Sequence, residues 1–219
     1  MPSATKKRPG RPKDASHCEQ RRDDILTAAA KIFAKHGYRN TEVEYIAQAL
    51  KVAKGTIYRY FPSKEELFFA TADRGMNRAA EFVDASINGL TDPLERMSRA
   101  VRAYLTFFRD HPEYVELFIQ ERAEFRDRPQ QTYFAYRDRR AVPWREAFRV
   151  LIKEGRIRKF PPERIVGFIG NVIYGTMFTN YLTGRKDSPE HQANEIMDIV
   201  LRGLLTNAAP GKATAVLTK

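Results

Sequence analysis

The chain has 219 residues, 42% of them hydrophobic and 30% charged, with 38 Lys and Arg against 27 Asp and Glu and a net charge of +11. That length allows one large domain or two modest ones with a sizeable core, and the basic excess favours an anionic partner, either nucleic acid or an acidic membrane surface. A single cysteine, Cys18, excludes an internal disulfide framework and fits a reducing cytosol, and residues 1–24 hold no apolar stretch of the secretory kind, so we expect a cytoplasmic protein.

Residues 1–18 are expected to form a disordered basic arm. They carry almost no large apolar side chains, and Lys6, Lys7, Arg8, Arg11 and Lys13 crowd residues 1–13 with no acidic residue among them. Within the arm, Arg8-Pro9-Gly10-Arg11-Pro12-Lys13 resembles half of an AT-hook, whose arginine enters a narrow A·T minor groove. Pro9 stands where that motif has arginine, so a nonspecific phosphate-binding arm is the competing reading.

From Glu19 the apolar residues Ile25, Ala28, Ala29, Ile32 and Phe33 recur at spacings of three and four, which predicts a helix ended by Gly37. Thr41 and Glu44 have the spacing of a capping box opening a helix to Leu50, and Ser63 and Glu66 that of a second, opening a long helix to Asn88. Asp92-Pro93 starts a further helix. His111-Pro112 stops it and starts the next. Gln130 to Glu154 is expected to be helical with a break at Pro143. Pro161-Pro162 precedes another helix and Ser188-Pro189 the last, to Thr206, before a disordered tail. No run alternates with period two, so the fold class is all-α. The expected domains are 19–66, 67–207 and the tail 208–219.

Ile165 to Leu182 holds no charge over 18 residues, the length of a candidate membrane span. Asn171, Thr176, Thr179, Asn180 and three glycines interrupt it, so we expect a helix buried by protein on most sides and no membrane partner. Enzyme motifs are missing. There is no phosphate-binding loop ending in Gly-Lys-Ser/Thr, no His-Glu-x-x-His, no Gly-x-Ser-x-Gly and no Cys/His cluster, and the four histidines are scattered. No catalytic residue, metal or cofactor is expected.

The informative stretch is Thr41 to Phe69. A helix over 42–50, the turn Lys51-Val52-Ala53 and a short helix over Lys54–Phe61 have the lengths of a helix-turn-helix, whose second helix enters the major groove of DNA. Ile57 and Phe61, four apart, can bury one face against Ile46, Ala47 and Leu50, and Tyr60 also suits packing. Lys54, Thr56, Tyr58 and Arg59 then face outward, suited to phosphates and base edges. Gly55 lets the backbone approach closely, and the helix start near Lys64 offers free N–H groups to a phosphate. The candidate DNA contacts are Thr41, Lys54, Gly55, Thr56, Tyr58, Arg59, Lys64 and, in the arm, Arg11.

The run Val52-Ala53-Lys54-Gly55-Thr56-Ile57-Tyr58-Arg59-Tyr60-Phe61-Pro62-Ser63-Lys64-Glu65-Glu66-Leu67, with Thr41 to Ala47 before it, resembles the DNA-binding signature of the TetR/AcrR family of bacterial transcription regulators. Two positions depart from the signature, Lys51 where glycine is usual and Ala53 where serine is usual. The resemblance implies a homodimer on a near-palindromic double-stranded operator. It also implies a helical C-terminal body that binds a small-molecule effector, with repression as the default outcome. A constitutive architectural DNA-binding protein without effector is the alternative. By the same resemblance the last two long helices pair across the dimer, with Phe168, Val172, Gly175, Ile196 and Val200 as interface candidates; a role in the monomer core competes.

The middle helices are rich in aromatics, and Phe107, Phe118, Trp144, Phe148 and Tyr174 are taken with Glu121 as ligand-binding candidates. Glu121 lies on an apolar face, where a carboxylate needs a partner. It either pairs with Arg137, Arg139 or Arg140 or serves as counter-charge to a cationic ligand. For the arm, each phosphate it neutralises adds about 0.9 to the slope of log affinity on log salt. Deletion of residues 1–13 is expected to flatten that slope in a titration against double-stranded DNA, and an unchanged slope would show the arm to be idle.

Overall fold

The computed structural model describes residues 15–202, and all of its regular structure there is helical. The helices run α1 (Ala15–Asn40), α2 (Val43–Ala49), α3 (Lys54–Tyr60), α4 (Lys64–Ile87), α5 (Pro93–Asp110), α6 (Pro112–Glu124), α7 (Thr132–Lys153), α8 (Pro162–Thr183) and α9 (Pro189–Arg202). Arg11, the AT-hook-like segment, the arm before residue 15 and the tail from 203 lie outside the described residues.

Two compact units share the chain. One ends at Thr71 and the other begins at Ala72, inside α4 and beyond the boundary expected at 66. In the first unit, the α1 stripe Ile25, Ala29 and Phe33 is buried together with Ile46 and Ala47 of α2, Ile57 of α3 and Leu67 and Phe68 of α4. The Phe33 and Phe68 rings meet edge to face at 5.2 Å, a preferred aromatic geometry. Gly37, at φ 79°, ends the regular part of α1 as its position in the sequence implies.

The two expected capping boxes fare differently. Ser63 Oγ accepts the Glu66 N–H at 3.0 Å, which caps α4. At α2 the box does not form. Thr41 is fully buried and its hydroxyl donates to the Gly37 carbonyl at 2.7 Å, so it has turned back toward α1. Glu44, the intended partner, instead pairs with Lys54 at 2.8 Å. The N-cap of α2 is Glu42, so Thr41 stands one residue before the position the motif needs.

In the second unit, Met97, Val101 and Leu105 of α5 pack with Phe148 and Leu151 of α7, Ile169 of α8 and Ala193, Ile196 and Met197 of α9. Asp92 caps α5 by accepting from the N–H groups of Leu94 at 2.9 Å and Glu95 at 3.0 Å. Those bonds and Arg156 hold its carboxyl below the usual range. The break expected at Pro143 is absent, and α7 runs through it. Pro143 lies on the exposed face, where water can take up the carbonyl its ring leaves without a donor, while Ala141, Phe148 and Leu151 hold the other face in the core.

The uncharged stretch of α8, residues 165–182, is less covered than expected. Within this chain only Ile169 and Met177 are buried along it, and Phe168 and Leu182 are 57% and 69% exposed. Among the described residues no helix is long and apolar enough to cross a membrane.

Gly75 of α4 is packed against the ring of Tyr114 of α6, so closely that a Cβ there would overlap the ring. Tyr114 is itself buried and its hydroxyl accepts from Arg74 at 3.0 Å, so the ring cannot move aside. A Gly75→Ala substitution is expected to destabilise the body by about 1–3 kcal/mol through overpacking, read as a lowered midpoint in calorimetry, despite the higher helix propensity of alanine.

Candidate nucleic-acid interface and ligand cavity

Residue 51 sets the angle between α2 and α3. Lys51 is in the left-handed region at φ 54°, which an L side chain adopts at a cost and glycine does not. The Val52 N–H donates to the Ala47 carbonyl at 2.9 Å and closes the turn. Ala53 precedes α3 with no side-chain cap, as expected of a residue lacking a hydroxyl. Ile57 and Phe61 are 1% and 3% exposed and fix the inner face of α3. Turned outward are Lys54, Gly55, Tyr58 and Arg59, with Thr56 half-buried beside them.

This outer face has the chemistry of a phosphate and base-edge reader. Among the described residues nothing lies within 4 Å of the position a Cβ would take at Gly55, so the backbone there is open to close approach. Lys54 sits 5.7 Å from the Tyr58 ring centroid and Arg59 5.5 Å from that of Tyr60. The Lys54–Glu44 hydrogen bond raises the Lys54 ammonium pKa and lowers that of the Glu44 carboxyl. Both groups are exposed, so the pair adds little to stability and can exchange for a phosphate.

Two of the residues expected at this face sit elsewhere. Thr41 is buried beneath it. Lys64 uses all three of its N–H donors inside the protein, on the carbonyls of Tyr38 (3.0 Å), Arg39 (3.2 Å) and Thr41 (3.1 Å), with Tyr38's ring 4.7 Å below. Its role is to cap the end of α1, where the carbonyls lack helical partners. Sequence spacing could not disclose this, because the bonds span more than twenty residues.

The ligand candidates divide among three places in the body. Phe107 and Phe148 are core, Phe107 stacking on Tyr114 at 6.1 Å and Phe148 packed under α5 and α8. Trp144 lines a cavity of about 150 Å³ among α4, α5, α7 and α8, with Met76, Met97, Tyr104 and Ile173. Arg137 and Arg140 are the charged side chains on its wall, held by Asn171 and by Asp84. Burial pushes the Tyr104 phenol well above its ordinary pKa and that of Tyr133 up to about 12, so both stay neutral donors. Phe118, Glu121 and Tyr174 line a separate cavity among α6, α7 and α8.

Glu121 is fully buried and paired, but with Arg128 rather than Arg137, Arg139 or Arg140. Arg128 lies in the connection between α6 and α7, where no helical periodicity indicates a direction. The sequence does not single out Arg137, Arg140, Tyr104 and Tyr133 as cavity residues, since helical spacing alone does not separate a cavity wall from core. Of the interface candidates, Phe168 and Gly175 are exposed on α8, Val172 and Val200 are half-buried, and Ile196 is part of the chain's own core. Among the described residues no group of His, Cys, Asp and Glu could hold a metal ion.

Residues 25–71 match the family described as "Bacterial regulatory proteins, tetR family", and residues 90–204 match "Tetracyclin repressor-like, C-terminal domain". The chain is 33% identical over 145 residues to the HTH-type transcriptional regulator HbdR of Aromatoleum sp. (strain CIB), a match covering 66% of this chain and 55% of HbdR. It is 27% identical over 198 residues to the HTH-type transcriptional repressor KstR2 of Mycobacterium tuberculosis, covering 87% of this chain and 96% of KstR2. Among solved structures it resembles the TetR-family regulator PfmR from Thermus thermophilus, at TM-score 0.64 and 25% identity, covering 83% of this chain and 99% of that one.

Lys54 and Lys64 are two lysines with opposite expected behaviour. Lys64→Ala is expected to lower the thermal midpoint, by a loss of about 1–2 kcal/mol as three carbonyls lose a charged donor. Lys54→Ala leaves the midpoint unchanged and weakens binding to double-stranded DNA in a gel-shift titration. The reverse pattern would exchange their roles.

Proposed function

The chain belongs to the TetR family of bacterial regulatory proteins, and on that premise we propose that it is a transcription repressor released from its operator by a small molecule entering the cavity beside Trp144. The outward face of α3, formed by Lys54, Gly55, Tyr58 and Arg59, is the DNA-reading surface. The protein acts as a homodimer on a near-palindromic site, two reading helices about 34–36 Å apart matching successive major grooves. Support for a second copy comes from α8. Its stripe Phe168, Gly175 and Leu182 is exposed, apolar and uncharged, and a Cβ at Gly167 or Gly175 would meet nothing within 4 Å among the described residues. These glycines are not needed for packing within the chain, and another helix could approach them closely.

The single observation that carries the effector reading is the cavity itself. Its wall is apolar and aromatic, with the guanidiniums of Arg137 and Arg140 as its charges and the neutral phenols of Tyr104 and Tyr133, hydrogen-bonded to each other, beside them. That wall suits an apolar molecule with an anionic or acceptor end. Several lining residues, Met76, Ala80 and Val83, lie on α4, the helix that begins at Lys64 after the reading helix. A ligand that prefers one placement of α4 shifts the population away from the DNA-competent form by its differential affinity. The cytoplasm is the compartment this role requires.

Ala100 is 7% exposed and lines the cavity. An Ala100→Leu variant fills part of the space. It is expected to bind operator as the parent does, to lose release by effector, and to repress constitutively in a reporter strain. Trp144 is the chain's one tryptophan, so its fluorescence reports occupancy directly, with octanoate and octylammonium as probes of opposite charge. Octanoate is expected to quench it and octylammonium to bind more weakly. Full effector response in Ala100→Leu, with Trp144 silent, would place the effector elsewhere. DNA binding insensitive to every compound would favour an architectural protein.

A further inference from the structure

Among the described residues Glu121 is the one carboxylate side chain that the fold buries fully. One of its oxygens is well satisfied. Oε1 accepts from Arg128, from the Thr132 N–H at 2.9 Å and from the Thr132 hydroxyl at 3.1 Å. The other, Oε2, is equally buried and meets no donor among the described residues. A buried carboxylate oxygen without a donor is unfavourable and calls for a specific reason.

Glu121 lines the second cavity, of about 180 Å³. Its walls are Phe118, Tyr133, Tyr174 and Phe178, with Tyr174 4.8 Å from Tyr133 and 4.5 Å from Phe178 between ring centroids. Arg122 lines the same cavity from an exposed position and has no carboxylate partner among the described residues. The cavity thus offers a buried acceptor, aromatic walls and an unpaired guanidinium.

We propose that this cavity binds an α-amino acid with an apolar side chain. The ammonium donates to Glu121 Oε2, the carboxylate meets Arg122, and the side chain lies against the rings. The charges select for the zwitterion. A plain amine gains Glu121 but faces the guanidiniums of Arg122 and Arg128, and a plain acid gains Arg122 but faces Glu121. The site is separate from the cavity beside Trp144, so it stands or falls independently of where the effector binds.

The test is calorimetric titration of the full-length protein with L-phenylalanine and L-leucine, and with phenethylamine and 3-phenylpropanoate as single-charge controls. At least one amino acid is expected to bind, with both controls weaker by about tenfold or more, the effect of losing one charged hydrogen bond. Arg122→Ala, at an exposed position, leaves the thermal midpoint unchanged and lowers amino-acid affinity by about tenfold. Trp144→Phe leaves that affinity as it was. Glu121→Gln abolishes binding in protein whose thermal unfolding remains cooperative, and Arg122→Ala decides the matter if Glu121→Gln does not fold. No binding by either amino acid up to about 10 mM, equal binding of all four compounds, or affinity indifferent to Arg122→Ala would each overturn the proposal.

Discussion

A helix of seven residues does not persist in water by itself, because too few hydrogen bonds offset the cost of nucleating it. The surface proposed to read DNA is such a helix, α3. Its existence rests on burying Ile57 and Phe61 in the core of the first unit. Everything on the outer face inherits its direction from that burial. With two residues four apart fixed inward, Lys54, Tyr58 and Arg59 have no other side to occupy. The same dependence explains why the turn before α3 tolerates an L residue at positive φ. Lys51 is strained locally, but the angle it sets places Ile57 in the core, and the burial outweighs the strain.

The end of α1 shows a second economy. Its last carbonyls are satisfied by one ammonium that reaches across from Lys64. A lysine that looks like a phosphate ligand in the linear motif is thereby a structural cap, and the buried Thr41 beside it shares the task of ordering this corner. Its charge still contributes to the positive field of the head even though its hydrogen bonds are spent. Position in a motif therefore separates into two physical contributions, field and contact, and the hydrogen bonds of Lys64 are spent on the fold.

What is legible in the sequence is whatever depends on local spacing. The helix order, the glycine stop at Gly37, the Asp92 and Ser63 caps and the inward turn of Ile57 and Phe61 all follow from residues within a turn or two of each other. What is not legible is of two kinds. Some of it is local but irregular, as where Glu121 finds Arg128 in the connection after α6 and Thr41 turns back to Gly37 instead of capping α2. The rest depends on pairings between distant segments, as where Lys64 finds carbonyls more than twenty residues before it. The aromatic residues divide for the same reason. Helical spacing puts Phe107, Phe118, Trp144 and Phe148 on inward faces, but which inward face closes on core and which on empty space depends on the neighbouring helices. Pro143 does not act as a stop because its exposed side leaves the lost bond to water.

The two cavities of the body differ in kind, and the difference follows from how each polar group is held. In the cavity beside Trp144, Arg137 and Arg140 already have protein partners, so a ligand must compete for them and the gain is modest. Affinity there has to come from area against apolar walls, which favours larger apolar molecules over small polar ones. At Glu121 the balance reverses. The buried Oε2 and Arg122 have no competing partner among the described residues, so a small molecule that satisfies both gains two charged hydrogen bonds with little area buried. Tyr133 borders both spaces, and its phenol is kept neutral by burial. Its ring is a shared wall, and each space keeps its own charged groups, Arg137 and Arg140 on one side and Glu121 and Arg122 on the other.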